Sequence, residues 1–482
     1  MRLHWHRRDL RLADNRGLAE PADPPVGVFV FDDEVLAHAA PPRVAFMLEA
    51  LSNLRADYRK RGSELLVRRG DPTTAVPDLA DAIDADRVSW NRDYSGLAQR
   101  RDDHVAEELK ADGRLPKLFH DAVCHPPGTI TTTQGEPYAV YTYYWKKWRD
   151  RETDAPLSVP ELASADAVDE AVDEAVDDAV TDVGVDPGEL PTIEELGFAE
   201  PTADIPTAST EAARERLESF LAEDVLRYAE ARDYPAEACT SRLSPHLKFG
   251  TVGIREVDAA VRERLESASG EERESVETFR SQIAWREFYA QVLYYNPDVV
   301  TENYREYKHD IEWENDPELL EAWKRGETGY PIVDAGMRQL LAEAFMHNRV
   351  RMIVASFLTK DLLIDWRHGY AHFREHLVDH DTANDTGGWQ WAASTGTDAQ
   401  PYFRIFNPTT QGERYDPDAA YVARYVPELR DVDPGVIHGW NDLSAEEREA
   451  AAPGYPAPVV DHAERRERTL ETFERARGEG GS

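Results

Sequence analysis

Five short apolar runs, at residues 3–6, 26–31, 64–69, 87–91 and 116–120, alternate with stretches whose apolar residues recur at helical spacing. The stretch 43–60 shows this clearly, with Val44, Met47, Leu48, Leu51 and Leu54 on one face. Repeated strand–helix alternation can bury its apolar faces only as a parallel sheet covered by helices. Beyond Ser209 the strand-like runs stop. Residues 212–229, 254–267, 276–294, 335–344 and 349–366 carry apolar faces of period 3.6, punctuated by Pro245, Gly250, Gly329 and Pro331. The last of these helices is expected to end at Trp366. This switch of period predicts an α/β parallel-sheet domain over 1–128, a long linker over 129–207 and an all-α domain over 208–482. A chain of 482 residues is too long for one compact core.

The linker contains A-V-D-E-A-V-D-E-A-V-D-D-A-V at 167–180, an acidic low-complexity repeat without large apolar residues, which reads as a solvated insertion without chemistry. Neither GxGxxG nor GxxxxGK[ST] occurs in the first domain, so a ligand there would sit at the carboxyl ends of the strands without a glycine cradle. No uncharged apolar run reaches the roughly 18 residues of a membrane span, and the first residues lack the apolar segment of a secretion signal. Cys124 and Cys239 are the only cysteines, which suggests neither a disulfide framework nor a metal site. A cytoplasmic monomer is expected.

The formal net charge is −38, from 93 acids against 55 lysines and arginines. Such a balance ordinarily argues against nucleic acid. The acids are spread through every segment, however, as in proteins adapted to high salt. At about 1 M salt the Debye length is only about 3 Å, and a diffuse negative surface then hardly repels DNA. Any nucleic-acid site must be locally basic.

Chemistry concentrates in four stretches. Residues 377–411, L-V-D-H-D-T-A-N-D-T-G-G-W-Q-W-A-A-S-T-G-T-D-A-Q-P-Y-F-R-I-F-N-P-T-T-Q, combine Asp379, Asp381 and Asp385 with Gly387, Gly388, Trp389 and Trp391. Glycines permit close backbone approach, and tryptophans two apart point different ways on a helix, so an aromatic or phosphorylated ligand is indicated. Thr240, Ser241 and Ser244, in T-S-R-L-S-P-H-L-K-F-G (240–250), offer hydroxyls and consecutive N–H groups to a phosphate, and Ser244-Pro245 equally reads as a helix start. In S-Q-I-A-W-R-E-F-Y (281–289), Gln282, Trp285 and Arg286 share one side of a helix, which suits stacking on a base while hydrogen-bonding its edge. In M-H-N-R-V-R-M-I-V-A-S-F-L-T-K-D-L-L-I-D-W (346–366), Arg351 is a natural partner for Asp379; a plain structural ion pair explains it equally well.

These stretches, with H-R-R-D-L-R-L-A-D-N (6–15) and T-G-Y-P-I-V-D-A-G-M-R-Q-L (328–340), resemble the photolyase/cryptochrome family in family order, and most of all its microbial, haloarchaeal-type class I cyclobutane pyrimidine dimer photolyases. The resemblance covers the chain except the acidic insertion. It implies a Rossmann-like antenna domain and a helical domain that binds FAD and DNA. It assigns FAD contacts to Tyr228, Thr240, Ser241, Arg242, Leu243, Ser244, Arg351, Asp379, His380, Asp381 and Asp385. Trp389, Trp366 and Trp313 would carry electrons to the flavin. Gln282, Trp285, Asn348, Arg349, Met352 and Trp391 would line a pocket for a flipped-out dimer in UV-damaged DNA, with Arg232 and Arg286 positioning the strand. The implied reaction is carbon–carbon bond cleavage, begun when excited reduced FAD lends the dimer an electron. A second chromophore, of 8-hydroxy-5-deazaflavin type rather than methenyltetrahydrofolate, would contact Asp102, Lys248 and Arg11.

Two positions depart from the repair pattern. Gln282 stands where these photolyases place a Glu, as it does in (6-4) photolyases. Asp385 stands where they place an Asn facing flavin N5, and plant cryptochromes carry an Asp there. A carboxyl at N5 can deliver a proton if burial raises its pKa. Repair is the leading expectation, because Trp285, Met352 and Trp391 keep the repair pocket and no long signalling tail follows. A blue-light receptor or a (6-4) photolyase is the alternative.

Overall fold

A computed structural model of the chain describes residues 1–166 and 188–479; the repeat at 167–180 lies outside them. Strands β1 (Arg2–His6), β2 (Pro25–Phe31), β3 (Leu65–Arg69), β4 (Arg87–Asn91) and β5 (Leu115–Phe119) form one sheet in the order β3-β2-β1-β4-β5. Every neighbouring pair is parallel, and each strand lies within one residue of its expected run. The helices Pro72–Ala82 and Gly96–Ala111 supply Val76, Leu79, Val105 and Leu109 to the same core as Trp5 and Trp90. Central β1 is buried throughout, so its polar residues need internal partners. Arg2 donates to the Gly17 and Leu18 carbonyls at 2.8 Å each, and His6 Nε2 lies 2.8 Å from the Tyr58 hydroxyl.

The chain packs as two compact units, grouped differently from the divisions at 128 and 208 expected from the sequence. Met1–Pro201, Pro206–Leu226 and Ser241–Pro297 form the first unit; Thr202–Ile205, Arg227–Thr240 and Asp298–Ser482 form the second. In the first, buried ion pairs tie the helix Ile254–Ser267 to the segments that follow β1 and β5, and Arg280 on the helix Gly270–Tyr295 pairs with Asp258 on Ile254–Ser267 at 2.8 Å. Fully buried Arg255 donates to Asp14 Oδ1 at 2.8 Å and to Asp121 Oδ1 at 2.6 Å, and Arg11 holds Asp121 Oδ2 at 2.5 Å. Two guanidinium groups therefore neutralise two carboxylates, the condition under which such a cluster can be desolvated.

The second unit is helical, with an extensive apolar core built on Pro331–Glu343, Asn348–Ser356, Trp366–His376 and Thr382–Ala393. Two helix expectations need correction. The helix expected over 212–229 stops at Ala222, because Glu223 leaves helical geometry at φ −132°. The helix expected over 349–366 is two helices. The first gives way to a wide π-type turn at Phe357–Asp361, Leu363 adopts a left-handed φ of 48°, and Asp365 then caps a new helix by accepting from Arg367 N at 3.0 Å. Trp366 therefore opens a helix. No helix among the described residues is long and apolar enough to cross a membrane.

Glu287, on Gly270–Tyr295, is buried and accepts from the Cys124 and His125 N–H groups at 2.7 and 3.1 Å and from the Tyr144 hydroxyl at 3.0 Å. Burial pushes its carboxyl up to about 7, against these bonds. The folded state then holds the proton more tightly than the unfolded chain, so this stabilisation is complete below about pH 4.5 and is lost as pH rises through about 7. Glu287→Gln should flatten the fall in unfolding free energy across that window, by an amount on the order of 1–3 kcal/mol, and with it the fall in melting temperature. Parallel pH–melting curves for variant and parent would contradict this.

Candidate functional site

The residues expected at the flavin divide between the units. In the second unit, Arg351 reaches from Asn348–Ser356 to the turn before Thr382–Ala393. Its Nη2 donates to both oxygens of Asp379, at 2.9 and 2.8 Å, its Nη1 lies 3.7 Å from Asp385 Oδ1, and its Nε donates to the Met346 carbonyl. The expected Arg351–Asp379 pair is thus present, and one guanidinium stands against two buried carboxylates. Asp381 is the N-cap of Thr382–Ala393, accepting from Asn384 N at 3.1 Å and Asn384 Nδ2 at 2.7 Å. Asp385 does not sit in an apolar pocket. Its Oδ2 lies 2.6 Å from His380 Nδ1 and accepts from Asp381 N at 3.2 Å. The Gly387-Gly388 pair is helical, and a Cβ added to Gly388 would meet nothing within 4 Å. Tyr228 is half-buried beneath the Arg232 guanidinium at 5.7 Å, and burial pushes its hydroxyl up to about 12. Thr240 ends this segment, partly exposed.

In the first unit, Arg242 takes a left-handed φ of 51° and Leu243 follows in right-handed geometry. Alternation of this kind turns successive N–H groups to one side, the concavity that accepts anions. The short helix Ser244–Phe249 begins at Ser244 with Leu243 as its cap; no side chain caps it, and Ser241 Oγ accepts from Leu243 N at 3.4 Å.

The three expected electron carriers all belong to the second unit. Trp389 and Trp366 are fully buried and Trp313 is half-buried. Trp389 packs edge-on against Phe373 at 4.9 Å and Trp323 at 6.0 Å, and its Nε1 has no partner among the described residues. Trp366 Nε1 donates to Asn303 Oδ1 at 2.9 Å.

The expected lesion residues also fall in both units. On Gly270–Tyr295, Gln282, Trp285 and Arg286 share a partly exposed face, as expected. Gln282 Nε2 donates to Thr278 O and Ser281 Oγ. Arg286 turns inward, donating to the carbonyls of Ala122 at 2.5 Å and Leu247 at 3.2 Å. Trp285 stacks face to face on Tyr141, with centroids 3.6 Å apart and planes at 13°. Tyr141 opens the aromatic-rich helix Tyr141–Arg149, and its pairing with a residue 144 positions away leaves no signal in local spacing. In the second unit, exposed Asn348 lies over Met352 Sδ at 3.9 Å, and half-buried Trp391 neighbours Phe406 at 6.4 Å. Arg349 pairs with Asp233 at 2.8 Å beneath Tyr415, and Arg232 lies 3.8 Å from the same Asp233. Phe406, Tyr415 and Asp233 are further neighbours that sequence spacing did not reveal.

Two of the three expected antenna contacts face into the protein. Asp102 is buried and bound by Arg7 at 2.5 Å, and Arg11 is committed to Asp121. Lys248 remains half-buried, and its carbonyl accepts from Arg8.

Residues 2–162 match the DNA photolyase family model, and residues 279–475 match the FAD binding domain of DNA photolyase. A deoxyribodipyrimidine photo-lyase from Halobacterium salinarum is 60% identical over 493 residues, spanning 99% of this chain and 100% of that protein. Among solved structures, a bacterial class III photolyase from Agrobacterium tumefaciens is 35% identical with a TM-score of 0.88, covering 99% of this chain and 98% of that one. A Synechocystis cryptochrome is 25% identical with a TM-score of 0.87, covering 98% of each chain. The chain is a two-part flavoprotein of parallel sheet and helical domain. It belongs to the DNA photolyase family, and FAD is its cofactor. The donor chemistry fits that group: in the first unit the Ser241 and Ser244 hydroxyls and the turned backbone at Arg242 suit a diphosphate, and in the second unit the helix Thr382–Ala393 opens among Asp379, Asp381 and Asp385.

Gly369 makes the packing of Trp389 possible. A Cβ there would fall 2.0–2.6 Å from three ring carbons of Trp389. Gly369→Ala should therefore lower stability by about 1–3 kcal/mol, the usual cost of overpacking, and shift Trp389 fluorescence. An unchanged melting temperature and emission spectrum would show that the ring is not held there.

Proposed function

We propose that this chain is a light-driven deoxyribodipyrimidine photo-lyase that splits cyclobutane pyrimidine dimers in DNA. The observation carrying this reading is its 60% identity, over the full length of both chains, to the Halobacterium salinarum enzyme of that name. When bound and reduced, FAD supplies on illumination the electron that cleaves the dimer. In this reading 1–128 is the antenna domain, 129–207 the linker and 208–482 the FAD- and DNA-binding domain, working as a monomer in the cytoplasm. Arg351, Asp379, His380, Asp381 and Asp385 would hold the flavin from the second unit, and Tyr228 and residues 240–244 are the further contacts that the family resemblance assigns. The Arg351–Asp379 pair fixes the turn from which Asp385 projects. The indoles of Trp313, Trp366 and Trp389 bring an electron inward from the half-buried to the fully buried ring. Gln282, Asn348 and Met352 are the lesion contacts in this reading, with Trp285 and Trp391 as stacking surfaces. Flipping costs a few kcal/mol, less for a dimer already poorly stacked.

The finer cofactor assignment is a deazaflavin-type antenna, supported by the resemblance around 90–93 and 100–105, with Lys248 its strongest contact because Asp102 and Arg11 hold internal partners. A cryptochrome-like light sensor is the second reading, favoured by the Asp385 carboxyl, which lies 2.6 Å from His380 Nδ1. Asp385→Asn removes the acid but keeps an acceptor for Asp381 N–H. It is expected to lower the long-wavelength absorbance that accompanies flavin protonation on photoreduction; unchanged spectra would remove any role for this carboxyl.

The deciding assay illuminates the reduced, FAD-loaded protein with a dimer-containing oligonucleotide in high salt. Dimer loss is expected; light-dependent binding of a protein partner without repair would favour the sensor. The arginines nearest the lesion residues hold internal partners, so recognition should lean on stacking, which salt does not screen. The log–log salt slope of binding is expected to be shallower than about −3, equivalent to about three phosphate contacts; a steeper slope overturns this.

A further inference from the structure

Near the end of the Trp366–His376 helix, His372, Glu375 and His376 place three potential ligand atoms within 4.8 Å of one another. Their i, i+3, i+4 spacing puts them on one face over a single turn. His372 is only 5% exposed, and neither of its ring nitrogens has a hydrogen-bond partner among the described residues. A neutral imidazole carries one donor and one acceptor. The ring meets Trp323 edge-on at 5.5 Å, which can satisfy an N–H against the indole face but offers nothing to the other nitrogen's lone pair. The His376 ring lies 4.4 Å away.

A second histidine cluster among the described residues supplies the contrast. His4 Nδ1 and Nε2 meet Ser89 Oγ and Asp9, at 3.1 and 3.2 Å. His6 Nδ1 and Nε2 meet the Asp9 carbonyl and the Tyr58 hydroxyl, at 3.1 and 2.8 Å. That cluster is saturated by protein and has no lone pair to offer. At 372–376 the buried nitrogens are unsatisfied, and the half-buried His376 and exposed Glu375 leave a route from solvent. The opposing charge is Lys324, which acts on both imidazoles but pairs with Glu321 at 2.8 Å.

We propose that His372, Glu375 and His376 bind one borderline divalent transition-metal ion, of which Zn2+ is the fitting example, with its remaining position open to water. Two neutral imidazoles and one carboxylate select this class over Mg2+ or Ca2+, which demand oxygen ligands. Sequence reading expected no metal because it weighed cysteines and passed over H-F-R-E-H. A bound ion would clamp the last turn of the helix whose Gly369 abuts Trp389, and Trp323 touches both His372 and Trp389.

The test uses the FAD-loaded full chain, stripped with chelator and titrated with Zn2+ by calorimetry in molar potassium nitrate with excess Mg2+, which occupies the diffuse acidic surface. One saturable equivalent is expected, with a higher melting temperature. His376→Ala and Glu375→Gln, at partly or fully exposed positions and with FAD absorbance retained, should each weaken binding by at least about tenfold, the smallest loss seen even when a ligand's supporting partner is removed. The absence of a saturable equivalent overturns the proposal. Undiminished Zn2+ affinity in both variants overturns it equally, since the ion would then lie elsewhere.

Discussion

One guanidinium organises the acid-rich heart of the helical unit. Arg351 accepts the company of Asp379 at 2.8–2.9 Å and of Asp385 at 3.7 Å, both buried, in a protein whose formal charge is −38. Without it, two carboxylates would share a desolvated turn, and mutual repulsion would drive the turn open or force a proton onto one of them. With it, Asn348–Ser356 is tied to the segment that enters Thr382–Ala393, and the positions of Asp381, Asp385 and Trp389 follow from helix geometry. The same device recurs in the other unit, where Arg255 and Arg11 hold Asp14 and Asp121, Arg280 holds Asp258 and Arg7 holds Asp102. These interior pairings all use arginine, whose planar fork satisfies a carboxylate at two points and sheds water more readily than an ammonium group. The scarcity of lysine is therefore a packing fact as well as a surface one.

Which parts of this were legible in the sequence follows from the range of the forces involved. The strands were readable to within a residue because each carries a short apolar run bounded by polar turns. The helix Ile254–Ser267 was equally plain, since its pattern is local. The break after Ser356 was not. Every residue from 349 to 366 is compatible with one apolar helix, and the interruption arises from Leu363 in a left-handed turn and the Asp365 cap, an arrangement fixed by packing. In the candidate site, Arg351–Asp379 was anticipated. The inward turns of Arg286, Arg11 and Asp102 were not, because spacing cannot say whether a charge faces solvent or a carbonyl. The Tyr141–Trp285 stack and the empty ring of His372 depend on partners distant in the chain or on the lack of any, and periodicity reports neither.

The surroundings of the three indoles bear on the direction in which charge would move along them. An indole that gives up an electron becomes a cation, and the cost of that cation depends on what can solvate it. Trp389 is enclosed by Phe373 and Trp323 with its Nε1 unpartnered among the described residues, so a positive charge there is poorly stabilised. At Trp366 the Nε1–H bond to Asn303 Oδ1 strengthens as the ring becomes positive, and the Arg367 guanidinium 4.9 Å over the ring is offset by its own pairing with Asp365. Trp313 is half-buried between Glu312 and Glu314. Both acids are paired with arginines, which leaves partial solvent contact as its main advantage. Stabilisation of a cation therefore rises from Trp389 through Trp366 to Trp313. If these residues carry the charge as proposed, the hole runs outward and the electron inward without any conformational change. The order comes from an Nε1 without a partner among the described residues, one present hydrogen bond and one half-buried ring.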